Sequence, residues 1–118
     1  MPGRNTLPRN LRLIRPSEFR SVFKRGGKAV GACFVCYLAP RDDQGSKLGL
    51  AVSQKVGSAV VRNRVKRYVR EFFRTHRHAF RRPVAMVVVA RPPAARLDAA
   101  QTAQALERLL RKGGLLDG

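Results

Sequence analysis

The stretch LGLAVS (Leu48–Ser53) runs through Gln54 into KVGSAVVRNRVKRYVREFFR (Lys55–Arg74), and its reading decides the fold. In the first part residues alternate as on a strand: Leu48, Leu50 and Val52 point one way, and Gly49, Ala51 and Ser53 point the other. The large set belongs to a core. The small set makes a smooth sheet surface, on which either a close-packed helix or a ligand could lie. The second part changes period. Val61, Val65, Val69 and Phe72, helped by Tyr68, recur at helical spacing and predict a buried stripe on a helix over Lys55–Thr75.

The flanks supply the remaining elements. PSEFRSVFKRGG predicts a short helix that starts at Pro16 or Ser17, lines one face with Phe19, Val22 and Phe23, and stops at Gly26. Val30–Leu38 reads as a strand, and the polar tract from Ala39 to Lys47 as a hairpin loop. Beyond the long helix, Ala85–Ala90 is an unbroken apolar run, as expected of an interior strand covered by helices. Asp98 and Gln101 have the spacing of a capping box. Ala103, Leu106, Leu109 and Leu110 give the last helix its apolar side, and Gly113-Gly114 ends it. The expected order is α-β-β-(β)-α-β-α, an α/β (α+β) two-layer sandwich with one small sheet. Residues 1–15 are expected as a basic, mobile or surface-lying arm, 16–114 as a single domain, and 115–118 as a tail.

Composition narrows the partner. Lys and Arg number 25 against 7 acids, a net charge of +18 over 118 residues. Self-repulsion on that scale opposes compactness until a polyanion neutralises it, and each phosphate contact also releases a counterion. A membrane surface is the alternative that Phe72 and Phe73 keep open, but neither a basic amphipathic helix with a clear aromatic face nor a lipidation motif is visible. The start, MPGRNTLPRNLRL, lacks the apolar segment of a secretory signal, and Val84–Ala90 is too short to span a bilayer, so a cytoplasmic address is expected. Cys33 and Cys36 have CxxC spacing. Within an apolar strand they would face opposite ways, which reads as ordinary packed thiols.

No catalytic constellation is present. Glu18, Asp42, Asp43, Glu71, Asp98, Glu107 and Asp117 are scattered over unrelated elements, and only Asp42 and Asp43 adjoin, in a turn. His76 and His78 read as surface histidines that favour a helix C-terminus. The basic helix is the strong signal. Arg62, Lys66 and Arg70 repel at i,i+4, and Arg62 and Arg64 sit in early turns where the helix dipole favours anions. Both penalties reverse if phosphates dock there. Asn63, among these arginines, can reach a ribose, a base edge or a hydrated metal ion. Strands on both sides of the helix argue against a DNA-reading helix-turn-helix. Phe19, Phe23 and Tyr37 suit stacking with unpaired RNA bases, although Phe19 and Phe23 fit a core equally well.

KVGSAVVRNRVKR carries the pattern Lys-x-Gly-x-Ala-Val-x-Arg-Asn-Arg-x-Lys-Arg and resembles the bacterial ribonuclease P protein family. EFRSVFKRG, FVCY, LGLAVSQKVG and VVVARP extend the resemblance, in the same order, over nearly the whole chain. The resemblance implies a ribosomal protein S5 domain 2-like sandwich with a mixed sheet and a left-handed βαβ crossover, against the usual handedness. It implies a subunit that binds a catalytic RNA and precursor tRNA and supports endonucleolytic removal of the 5′ leader. Catalysis then belongs to the RNA and its Mg2+ ions, with no catalytic residue in the protein and no obligate protein partner. Carried over by position, Arg62, Asn63, Arg64, Lys66, Arg67 and Arg70 would contact catalytic RNA or nearby substrate. Phe19, Phe23, Val35, Tyr37, Ser53 and Lys55 would line a cleft for the leader, bordered by Arg62 and Arg70, and Asn63 would be a metal ligand.

The chain departs from many relatives by having Pro83-Val84-Ala85 where an acid precedes the fourth strand, so any role of that acid does not carry over. Basicity also continues past the helix through Arg77, Arg81 and Arg82. A ribosomal or RNA-chaperone protein and a self-sufficient nuclease are the rival readings.

Overall fold

A computed structural model describes residues 7–41 and 45–116. Its helices are α1 (Pro16–Arg25), α2 (Ala59–His76) and α3 (Ala99–Lys112), and its strands β1 (Gly27–Val30), β2 (Phe34–Pro40), β3 (Lys47–Ala51) and β4 (Val84–Ala90). The four strands form one mixed sheet in the order β1-β2-β4-β3, antiparallel except where β3 lies parallel to β4. Helix α2 makes the connection between those parallel neighbours.

The single expected strand over Val30–Leu38 is a hairpin. β1 and β2 are separated by a tight turn in which the Gly31 N–H donates to the Phe34 carbonyl at 2.9 Å. Cys33 therefore sits in the turn and only Cys36 on a strand, and both are free thiols. The expected hairpin between the second and third strands is also corrected. β4 lies between β2 and β3, because its uniformly apolar sequence needs cover on both faces and takes a central place. Asp42 and Asp43 lie outside the described residues.

Sheet register separates two faces. Ala29, Cys36, Val88 and Leu50 form one row across the sheet. With Phe34, Met86 and Leu48 they face α2 and α3, which contribute Val65, Val69, Phe72, Phe73, Leu106 and Leu110 to a sealed core. On the other face Val30, Val35, Val89 and Ala51 form one row, and Lys28, Tyr37, Val87 and Gly49 the next. Here α1 packs Val22 and Phe19 against Ala39, Ala85 and Val87. The sandwich is thus sheet against α2 and α3, with α1 as a short cover on the reverse.

Helix α2 begins later than Lys55. A Cβ on Gly57 would fall 2.9 Å from Val61 Cγ1, and Ser58 Oγ accepts the Val61 N–H at 3.3 Å, which makes Ser58 the N-cap. The predicted capping box of α3 is present: Asp98 Oδ1 accepts from Gln101 N at 2.7 Å, and Gln101 Oε1 accepts from Asp98 N at 3.0 Å. Gly114 follows α3 with φ +78°, a left-handed conformation that suits glycine. Leu115, in the expected tail, is then fully buried. Residues 7–15 of the expected arm lie against the body, with Leu7 and Leu13 buried and the Leu13 N–H donating to the Leu48 carbonyl at 2.9 Å.

Candidate nucleic-acid interface

The apolar stripe of α2 orients its cations. Val65, Val69, Phe72 and Phe73 are buried, so Arg62, Lys66 and Arg70, each four residues apart, are left along one flank, half-buried. Asn63 and Arg67 are exposed. Arg62 Nε donates to the Gly57 carbonyl at 3.1 Å, and Arg64 reaches across to the Ala95 carbonyl at 2.9 Å. Each of these bonds uses one nitrogen of a three-nitrogen fork, so the flank is pre-positioned rather than consumed. The Arg67 guanidinium lies 5.3 Å from the Tyr68 ring centroid. Arg74 is paired with Glu71.

The opposite side of the site lies on the α1 face of the sheet. The Phe23 ring, 42% exposed, meets Tyr37 edge-on with centroids 4.7 Å apart. Lys28 Nζ stands 5.9 Å from the same Tyr37 ring. Phe19 packs onto Gly49 so closely that a Cβ there would lie 2.7 Å from Phe19 Cε2. The small-residue face thus does accept a helix at Gly49. One row further on, Val35, Val89 and Ala51 are only half covered. Ser53 and Lys55 follow the end of β3, both exposed, with Ser53 Oγ accepting the Lys55 N–H at 3.3 Å. Phe19 is therefore a packing residue with one accessible edge, whereas Phe23 is a surface aromatic.

The two sets meet across the edge of β3. Phe19 from α1, Leu48 and Leu50 from β3, and Lys66 and Arg70 from α2 line one cavity of about 150 Å³. Arg12 completes its wall, a residue that sequence reasoning left in the arm, where charge was the only signal. Arg70 is pulled below the ordinary guanidinium range by burial and then by the positive charge of Arg12. Lys28 was missed for a related reason, since only the β1–β2 register places it beside Tyr37.

The described acids are all engaged elsewhere. Glu18 Oε1 accepts the N–H groups of Ile14 and Arg15 at 2.9 Å, and the Arg15 bond, followed by that of Ile14, holds its carboxyl below the usual range. Asp98 caps α3, and Glu71 pairs with Arg74. Glu107 meets His76 Nε2 at 3.0 Å, while His76 Nδ1 lies 2.9 Å from the Phe72 carbonyl, which ties the end of α2 to α3. His78 is exposed in the turn beyond. Among the described residues no three His, Cys, Asp or Glu side chains converge as metal ligands. Asn63 is exposed between Arg62 and Arg64 and offers one amide oxygen, a single ligand that a hydrated Mg2+ would take only together with waters and RNA phosphates. No helix among the described residues is long and apolar enough to cross a membrane.

The family profile described as Ribonuclease P matches residues 7–114. The ribonuclease P protein component of Desulfovibrio desulfuricans is 44% identical over 113 residues, covering 92% of this chain and 87% of that one. That of Exiguobacterium sibiricum is 36% identical over 110 residues, covering 92% and 95%. The RNase P protein of Staphylococcus aureus superposes with a TM-score of 0.83 at 30% identity, covering 91% of this chain and 98% of that one. The Thermotoga maritima protein gives 0.77 at 30% identity, covering 86% and 96%. A matching profile over most of the chain, relatives of similar length and the shared fold all agree: the chain belongs to the ribonuclease P protein family.

Proposed function

We propose that this chain is the RNA-binding protein subunit of a ribonuclease P ribonucleoprotein and works in the cytoplasm in 5′ maturation of tRNA. One observation carries the reading: the half-open sheet face is joined to the cationic flank of α2 through the cavity that Phe19 shares with Lys66 and Arg70. A single-stranded leader fits that arrangement. Phe23, Tyr37 and Val35 offer apolar surface for bases, while Ser53, Lys55 and the Arg62–Lys66–Arg70 flank lie within reach of its phosphates. Asn63, Arg64 and Arg67, on the rest of the outer surface of α2, take the catalytic RNA. The phosphodiester hydrolysis is assigned to that RNA and its Mg2+ ions, since the described acids of the protein already serve caps and ion pairs.

The test adds the purified chain to a catalytic RNA of the ribonuclease P type at low magnesium, with precursor tRNA as substrate. The expected result is cleavage at the mature 5′ end only when both are present. Cleavage by the protein alone would make it a self-sufficient nuclease. Binding of RNA without restored cleavage would make it a ribosomal or chaperone protein.

A further inference from the structure

The cavity beneath Arg70 does not end at β3. Arg12, which forms its outer wall, also lines a second, wider cavity of about 610 Å³ with Arg9, Asn10, Arg15, Glu18 and Lys47. Four cations therefore surround this bowl, and the one acid in its lining is held by the Ile14 and Arg15 N–H groups. Arg12 is fixed in place by its Nε, which donates to the Leu7 carbonyl at 2.6 Å. A parallel bridge from Arg12 to Leu48 anchors its backbone to the edge of the sheet.

The arrangement costs stability unless something anionic occupies it. Burial first, and then the positive charge of Arg12, depresses the charged form of Arg70, and both side chains line the same cavity with Leu7, Leu13 and Leu48. A phosphate between the two guanidiniums removes that repulsion and accepts hydrogen bonds from both. The line of cations is also continuous. From Arg62 to Arg70 the α2 flank spans about 12 Å at ~1.5 Å per residue, and Arg12 carries it over the β3 edge to Lys47, Arg15 and Arg9.

We propose that Arg12, with Lys47, Arg15 and Arg9, forms a second phosphate-binding station for the precursor leader. It engages leader nucleotides that extend past the half-open sheet face and the α2 flank. This rests on the leader-binding reading above. The leader is favoured over the catalytic RNA as occupant because the two cavities share Arg12 as a wall, so a strand that passes Phe19, Lys66 and Arg70 runs on into the bowl.

The experiment uses the holoenzyme reconstituted from full-length protein and catalytic RNA. Binding is measured for two precursor tRNAs, one with a leader that ends at the α2 flank and one with a longer leader. The variants are Arg9→Gln and the double change Arg15→Gln with Lys47→Gln, all at residues that line the bowl and not the cavity shared by Phe19, Lys66 and Arg70. Both should weaken the long-leader precursor about fivefold, the scale of a single exposed ion pair, and leave the short-leader precursor unchanged. Equal losses for the two precursors, no loss at all, or weaker assembly with the catalytic RNA would overturn the proposal; the last would give the bowl to that RNA. Should the unmodified holoenzyme fail to prefer precursor over mature tRNA, the leader-binding reading itself fails, and this inference with it.

Discussion

The two faces of the sheet come from the same strands and have opposite fates. On the α2 and α3 side, Phe34, Cys36, Met86, Val88 and Leu48 are all buried, and Phe73 and Leu110 complete a closed interior. On the α1 side a ten-residue helix covers only the rows that contain Ala39 and Gly49, and Val35, Val89 and Ala51 remain half open. The difference lies in helix cover and, within β3, in side-chain volume. Two helices seal one face and make stability, and one short helix leaves a place to bind on the other. The same strand supplies both, as the alternation of β3 shows.

The comparison can be broken most severely on the closed face. Phe73→Ala should cost ~3–5 kcal/mol, the range for a fully buried aromatic, and denaturant unfolding would read it. Gly49→Ala acts at the boundary. Its new methyl would meet the Phe19 ring and Leu13, so a loss of ~1–3 kcal/mol is expected together with displacement of Phe19 from the cavity. A stability unchanged within ~0.5 kcal/mol would show that Phe19 yields freely. On the outer surface of α2, Arg67→Ala should leave unfolding unchanged and lower the salt slope of RNA binding by about one. Arg64→Ala should lower both, because it also removes the bond to Ala95. A matching stability for the two variants would place Arg64 wholly in binding. The smallest effect is chemical. Burial pushes the Cys36 thiol up to about 12, so a thiol reagent near neutral pH should modify Cys33 in the native protein and Cys36 only after unfolding.

How far the sequence revealed this depends on whether each signal was local. The stripe at Val65, Val69 and Phe72, the capping box at Asp98 and the large and small parity of β3 are all local, and each was legible. Phe73 was missed because α2 faces both the sheet and α3, which widens its buried stripe beyond one row. The break between β1 and β2 was hidden in an apolar run with Gly31 as its one punctuation mark. The place of β4 between β2 and β3 is a long-range pairing that no periodicity encodes. In the candidate site, the motif residues were legible by resemblance, whereas Arg12 and Lys28 join it only through tertiary contacts.

The central claim is that the half-open face distinguishes a tRNA that still carries its leader from one that has lost it. The most direct measurement compares the affinity of reconstituted holoenzyme for precursor and mature tRNA, with and without Tyr37→Ala. Precursor binding should weaken markedly and mature tRNA binding should stay as it was. Equal losses for the two ligands would contradict the account.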